Sequence, residues 1–390
     1  MGGQMAKKRE DADVEPGLTG AEFADAVARV SGCAKRKGPF EQTSLIHLKS
    51  VGNKLGLRAC DLLQEASVSI PYAGFPLDIS VNGELLSKLA PSFVGDELLS
   101  IETTTNHGEI LLRGESSIIR IPATREVKPP EFPRAVPDYS LSISGARLAE
   151  AINGVIFALD SEENISHPAM NGLLLRSKGK VTITAASQKW MMERTVVEDN
   201  VQSFEAVIPA FAAAYMASNF KDSSPTFAFN RNQLIVKGER SEYRSVLLGE
   251  KFPDTSALFK RVADQTVEQV MVNREEIMHA IATLAPLYPR LQKVFNPMMR
   301  LEITSAHCRV STNFGESSHV SIHGYREADQ PVTLDISGTQ MLETFKHLKC
   351  NMVVVRFCRE PHVPIIVEPP EGEHDAGNVR ALFASAKEKR

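Results

Sequence analysis

Asp160, Glu162 and Glu163 crowd one short stretch, ALDSEENISHPAM, and carboxylates that close together are what a chain uses to hold a divalent cation. The other residue types with chemistry to offer are dispersed. Ten histidines show no paired metal spacing, no GxSxG turn presents a serine, and no glycine-rich loop stands ready to cradle phosphate. Cys33, Cys60, Cys308, Cys350 and Cys358 form no CxxC pair and sit in apolar or strand-like surroundings, as reduced, buried thiols do. A solvated loop explains the three acids with less, so neither a catalytic centre, a metal nor a cofactor is expected. The alternative is a metal-dependent nucleic-acid-processing enzyme built around that loop.

The elements that would position any site come in threes. PLDISVNGELLSKL, from Pro76, and TLDISGTQMLETFKHL, from Thr333, share Leu-Asp-Ile-Ser at a separation of 257 residues. Half that distance leads to FEAVIPAFAAAYMASNF, Phe204 to Phe220, with Ile208 placed 129 after Ile79 and 128 before Ile336. Each copy reads as a short apolar strand entering an amphipathic helix. Asp78 and Asp335 read as acceptors near helix starts, with Ser80 and Ser337 close to N-cap positions.

Three further series agree. NKLGLRACD, GKVTITAAS and HCRVSTNF alternate with period two, and Ala59, Ala185 and Thr312 lie 126 and 127 apart. GEILLRGESSIIRI and NQLIVKGERSEYRS match at Gly114 and Gly238 and at Arg120 and Arg244, each pair 124 apart, and close on Phe132-Pro133 and Phe252-Pro253. Helices at AEFADAVARV, GARLAEAINGVIF and REEIMHAIATL open the units, with apolar stripes at Phe23, Val27 and Val30, at Leu148, Ile152 and Val155, and at Ile277, Ile281 and Leu284. Modules at 20–135, 136–262 and 263–370 follow, between a disordered start at 1–19 and a tail at 371–390. Helices alternating with runs of strands give an α+β class, helices on one side of antiparallel sheets.

Composition fits this picture: 390 residues, 43% hydrophobic and 24% charged, are enough for more than one core. No run of 18 apolar residues and no apolar leader occurs, so a cytosolic protein without a membrane partner is expected. The formal net charge is -4, so any basic surface must be local.

VSG at Val30, MNGLLL at Met170, GKVTITA at Gly179, FPD at Phe252 and VPIIVEP at Val363 resemble the bacterial DNA polymerase III beta subunit, the sliding clamp, over about residues 20 to 370. The resemblance implies a head-to-tail homodimer closed into a ring of six modules, helices lining the hole and sheets outside. Such a ring encircles double-stranded DNA without reading its sequence, is placed by a clamp loader, and tethers the DNA polymerase catalytic subunit and other proteins bearing a clamp-binding motif. It is a processivity factor and not an enzyme.

A sliding tether needs scattered cations facing phosphates. The candidates are Arg29, Lys35, Arg36, Lys37, Lys88, Arg147, Lys221, Arg274, Lys346 and Lys349, of which Lys37 matches a basic DNA-contacting position of the family. The partner-peptide pocket, between modules two and three in the family, maps to Met170, Ala186, Gln188, Lys189, Trp190, Met191, Pro253, Leu258, Ile366, Val367, Glu368, Pro369 and Pro370. It accepts a peptide with a Gln and apolar anchors. Here Gln188-Lys189-Trp190 replaces a common Gly-His-Arg run and Ala257 stands where an Arg often follows. Trp190 reads equally as pocket wall or core anchor.

Past Pro370 the chain continues for 20 residues where the family's chain normally stops. That tail reads as disordered, with a short amphipathic helix at VRALFASAKEKR, folding over the pocket, as the other reading. Ring closure implies Ile119 and Ile121 of SIIRIP facing Leu287, Tyr288 and Leu291, although Pro286 and Pro289 interrupt the matching helix.

Overall fold

A computed structural model describes residues 17–34, 40–93, 95–104, 108–159, 167–188, 190–266, 268–287, 298–304, 307–312, 318–325, 331–358, 363–372 and 379–383. The chain forms two compact units, Met1–Val136 with Ile235–Ser245, and Pro137–Leu234 with Val246–Arg390. The acidic stretch Asp160, Glu162 and Glu163 lies outside the described residues.

In the first unit, antiparallel strands run in the order Ser100–Thr103, Glu109–Arg113, Ile118–Thr124, Asp78–Asn82, Leu45–Val51, Lys54–Cys60, Gln64–Pro71, Ser241–Val246. Their alternating residues bury Ile46, Leu48, Leu55, Leu57, Ile79 and Val81. Helix α1 (Gly20–Ser31) starts at a capping box, the Glu22 amide donating to Thr19 Oγ1 at 3.2 Å while the Thr19 amide reaches back to the Glu22 carboxylate. Its stripe of Phe23, Val27 and Val30 is fully buried, each side chain contributing about 1.5–3 kcal/mol. Helix α2 (Gly83–Leu89) packs against it.

The second unit repeats that plan twice. Helices α3 (Gly145–Asn153) and α4 (Ala210–Asn219) pack together, and so do α6 (Arg274–Leu284) and α7 (Gly338–Lys346). One sheet orders Gly324–Tyr325, Glu268–Asn273, Met352–Phe357, Ile365–Glu368, Val379–Phe383, Trp190–Pro209 and Gly172–Ala186; another orders His319–Ile322, Cys308–Thr312, Met298–Ile303 and Val332–Ser337. Helix α5 (Thr255–Gln265) follows the Phe252-Pro253 pair. The equivalent Phe132-Pro133 is followed by coil running into the strand Tyr139–Ser142, so α5 has no counterpart there.

Register confirms the threefold pattern and corrects its spelling. The residue entering the second helix of each copy pairs with the first residue of that copy's opening strand: Asn82 with Leu45, Pro209 with Gly172, Ser337 with Met298. Val81, Ile208 and Ile336 are therefore the equivalent positions, and Ile79 lies two residues early. The shared Leu-Asp-Ile-Ser is displaced by two, which period-two alternation tolerates because the same faces stay buried. Ser337 caps α7 as expected, but Asn82 caps α2, and Ser80 sits fully buried in mid-strand. Ala59 pairs with Ile46 and Thr312 with Met299, in agreement with the spacing, and the turns at Gly114 and Gly238 close identically, each amide donating to a serine carbonyl three residues on.

The tail is a correction of another kind. Val379–Phe383 is neither disordered nor helical but a strand, paired with Ile365–Glu368 on one side and with Trp190–Pro209 on the other. Ser241–Val246 is placed the same way against Gln64–Pro71. The two joints differ in chemistry. Glu65 faces Arg244 in a buried polar cluster that includes Arg58, Glu242 and the Tyr243–Gln64 bond of 2.8 Å, whereas the corresponding pair on the tail strand is Met191 with Leu382. Of the cysteines, Cys33, Cys60, Cys308 and Cys350 are buried thiols outside any disulfide among the described residues, and burial pushes the Cys33 thiol well up. No described helix is long and apolar enough to cross a membrane.

Candidate functional site

Alternation along three neighbouring strands puts Met191, Leu382 and Ile366 on one face, since Met191 pairs with Leu382 and Leu382 with Ile366. Ala186, opposite Met191, and Leu174, opposite Val207, extend that face, and Ala169, Phe252, Phe259 and Val262 complete a buried apolar cluster with Leu248 and Leu258 at its margin. Beside it the Glu193 carboxylate accepts from Arg380 Nε at 2.8 Å, and the same guanidinium lies 4.1 Å from the centre of the Phe259 ring. A polar groove of about 330 Å³ continues past Arg380 to Lys180, Arg356, Glu368, Pro369 and Pro370.

The pocket residues expected from the sequence divide between these places. Ala186, Met191, Leu258 and Ile366 meet in the cluster. Met170 and Pro253 are half-buried next in chain to its members Ala169 and Phe252. Gln188 is exposed in the turn before Trp190, and Lys189 lies outside the described residues. Val367 pairs with Ala381 and points to the opposite face, while Glu368, Pro369 and Pro370 line the polar groove. Trp190 also faces away from Met191, edge-on to Phe157 at 5.2 Å and 6.3 Å from Phe383; Phe157 in turn stacks on His347 at 4.8 Å. It is a half-buried aromatic anchor on the helix side of the sheet. Phe259, Val262 and Leu174 lie outside the residues that the resemblance maps to the pocket, and Leu382 reaches the cluster on a strand and not on the short helix that is the other reading of the tail; the mapped set touches α5 only at Leu258. The signal for that helix was present: Asp254, whose carboxylate accepts from the Ala257 amide at 3.1 Å, followed by apolar residues at helical spacing.

The basic residues are spread over helices and helix ends. Arg147 and Lys221 are exposed, and Arg29 and Lys88 sit one turn from Asp25 and Glu84, each bridged at 2.7 Å. Lys346 meets Glu343 at 2.6 Å. Two have structural work: Arg274 Nη1 donates to the Phe345 carbonyl at 3.2 Å, tying α6 to the end of α7, and Lys349 shares the Glu150 carboxylate with Arg194. Burial opposes ionisation of Glu150, but hydrogen bonds from Lys349 and Arg194 hold its carboxyl below the usual range. Lys35, Arg36 and Lys37 lie outside the described residues.

Of the ring-closing candidates, Ile121 is fully buried within its own unit and Ile119 half-buried; the exposed neighbour on that strand is Ile118, at 58%. Leu287 is exposed, and Tyr288 and Leu291 fall outside the described residues. Among the described residues the outer edge of Ile118–Pro122 is unpaired, and His319–Ile322 is the last strand of its sheet.

One contact has the composition of a hydrolytic triad. His47 Nδ1 lies 3.1 Å from Ser80 Oγ and its Nε2 lies 3.3 Å from Asp78 Oδ1. Ser80 is fully buried, so its hydroxyl meets no substrate, and burial pulls the imidazole down to about 4 against the influence of Asp78. The arrangement satisfies a buried neutral histidine. Among the described residues no group of three His, Cys, Asp or Glu is placed to hold a metal ion.

No family model matches the chain. The curated beta sliding clamp of Streptococcus pneumoniae serotype 4 is 23% identical over 282 residues, 70% of each chain. Among solved structures, a DNA polymerase sliding clamp from Pseudomonas aeruginosa superposes with a TM-score of 0.82 at 15% identity, covering 95% of this chain and 99% of that one. A Helicobacter pylori beta clamp bound to a DNA ligase peptide does so at 0.79 and 16%, again over 95% and 99%. Fold and sequence likeness thus agree with the motifs, and the chain has the sliding-clamp fold of the bacterial DNA polymerase III beta type.

Proposed function

We propose that the chain is a DNA polymerase processivity factor: a homodimeric ring that encircles duplex DNA and tethers the polymerase and other proteins through the apolar cluster around Met191. It acts in the cytoplasm, on the nucleoid, is opened by a clamp loader, and performs no chemistry itself. Three modules make up each chain, with the third running on to the strand Val379–Phe383.

The observation that carries this reading is the repeated joint. Ser241–Val246 closes onto Gln64–Pro71 and Val379–Phe383 onto the strand at Met191. Among the described residues the third member of each series, Ile118–Pro122 and His319–Ile322, is left with an open edge, as a head-to-tail pair of chains requires to close a ring. Exposed Ile118 fits that contact. Arg147, Lys221 and the other helix-borne cations supply weak, salt-sensitive phosphate contact, and topology supplies retention. The tethering part is supported by the apolar, methionine-containing cluster, which suits several competing peptides.

The test is retention on DNA. Protein loaded onto a nicked circle is expected to stay on the circle and to be lost on linearisation. Monomer alone by light scattering at micromolar concentration, with no stimulation of long-product synthesis, would refute the proposal. For the tethering site, Met170→Glu is expected to abolish binding of polymerase-derived peptides while leaving the ring intact.

A further inference from the structure

A second hollow, of about 460 Å³, lies within the first unit and shares no residue with the apolar cluster. Alternation sends Leu55, Leu57 and Ala59 to the core and turns Gly56 and Arg58 to the other face of the sheet. On that face the register sets His47, Arg58, Ser67 and Glu242 side by side on four successive strands. Gly56 keeps the floor low, with only the Lys49 carbonyl near the place a side chain would take. Around it stand Lys49, Arg58, Lys237 and Arg240 against Glu239 and Glu242, so four cations face two carboxylates in a chain whose net charge is -4.

These groups are unevenly satisfied. Arg58 is engaged, with Nη1 donating to Glu65 at 2.9 Å and the guanidinium to the Pro129 and Pro130 carbonyls at 2.8 Å. Lys49 and Lys237 are more than half exposed and reach Asp78 and Glu242 only at 3.8 and 4.0 Å. Among the described residues the exposed Arg240 side chain makes no ion pair, and the half-buried hydroxyls of Ser67, Ser69 and Ser241 make no hydrogen bond.

The repeat shows what is missing. Glu65 and Arg244 correspond to Met191 and Leu382, so two residues along each strand Ser67 corresponds to Glu193 and Glu242 to Arg380. In the polar groove of the second unit, Lys180, Arg356 and Arg380 are matched by Glu193, Glu368 and Glu371, with Arg380 bonded to Glu193 at 2.8 Å and Arg356 to Glu368 at 2.6 Å. There the chain supplies a carboxylate from Glu193; in the first unit the same position is Ser67. Lys49 and Arg240 lie in one row across the sheet, through Gly56 and Ser69, which sets their backbones roughly 14 Å apart. Donors spread over that distance suit an extended chain with several carboxylates better than a single phosphate. Apart from the buried His47, no lining residue offers a ring on which a base could stack.

We infer that this face docks an acidic segment of a partner protein, an extended chain whose carboxylates reach Lys49, Lys237 and Arg240 while its polar atoms meet the three serine hydroxyls. The contact is independent of the apolar cluster and gives the chain a second place to hold a partner.

Fluorescence anisotropy of a labelled peptide of alternating Asp and Ser, with the full-length protein at low ionic strength, reads the contact. The peptide is expected to weaken as salt is added and to bind at least about tenfold more tightly than its counterpart with Asn for Asp. Arg240→Glu and Ser67→Glu, each checked for an unchanged melting temperature and oligomer, are expected to weaken it at least about tenfold, the second by restoring the carboxylate that Glu193 supplies in the other copy. Equal binding to the Arg240→Glu chain, or none to the wild type, overturns the inference. Competition by an uncharged peptide of Gln and Leu would place the acidic peptide on the apolar cluster, and tighter binding of a DNA duplex at the same residues would assign the hollow to phosphate; either result overturns it as well.

Discussion

Asn82 and Ser337 hold the same post in two copies of one design. Each pairs across the sheet with the first residue of an opening strand, Leu45 or Met298, and each side-chain oxygen accepts an amide of the following helix: Leu85 at 2.9 Å and Gln340 at 3.3 Å. They lie 255 residues apart, whereas the identical tetrapeptides lie 257 apart. The position that matters is conserved in role between the copies and not in letter.

Each cap therefore has a measurable share of stability. Asn82→Ala and Ser337→Ala are each expected to cost about 1 kcal/mol, read from chemical denaturation with unchanged circular dichroism. A Lys128→Ala change loses only an exposed contact, to Asp78 at 2.6 Å, and is expected to cost less.

The closing strand contributes to the second unit's core. Leu382→Ala, at a side chain 5% exposed, is expected to cost about 2–5 kcal/mol, and ending the chain at Gly372 is expected to cost more. Thermal unfolding checks both; an unchanged midpoint in the truncated chain would show the strand to be dispensable.

Acid weakens the first unit through His47. Its imidazole is held near 4 in the folded protein and titrates at about 6.5 when unfolded. The unfolded chain thus takes up the proton first, so this contribution is complete above about pH 6.5 and is lost as pH falls from there toward 4, by up to about 3 kcal/mol. His47→Gln is expected to flatten that part of the stability profile, leaving the region above pH 7 parallel to the wild type.

Association is expected to depend on the open edge beside Ile118. Ile118→Asp should shift the dimer to monomer in sedimentation equilibrium by at least about tenfold in Kd, while Ile118→Val should not. Because Ile118 is 58% exposed, neither change is expected to lower the melting temperature of the isolated chain appreciably.

What was legible in the sequence was periodic. The stripe Phe23, Val27 and Val30 and the paired turns at Gly114 and Gly238 follow from spacing alone, and the structure has them. Register was not legible, because a shift of two residues keeps every side chain on its face and leaves the pattern unchanged. The site suffered most from that: VPIIVEP and VRALF are both short apolar strands, and only pairing distinguishes the inner one from the one that reaches Met191. Helix α5 was obscured because it spans the boundary between the second and third modules, at residues 262 and 263.

The polar joint at Glu65 and Arg244 and the apolar joint at Met191 and Leu382 share one geometry, which creates a hazard in a chain built of repeats. During folding, Ser241–Val246 could dock on the strand at Met191, or Val379–Phe383 on Gln64–Pro71. The first error would press a guanidinium against methionine and the second would strand a buried carboxylate against leucine, each at several kcal/mol. Unlike chemistry in like places thus works as an address on each strand, and exchanging Arg244 and Leu382 alone, with Glu65 and Met191 left in place, would be a way to misdirect the fold.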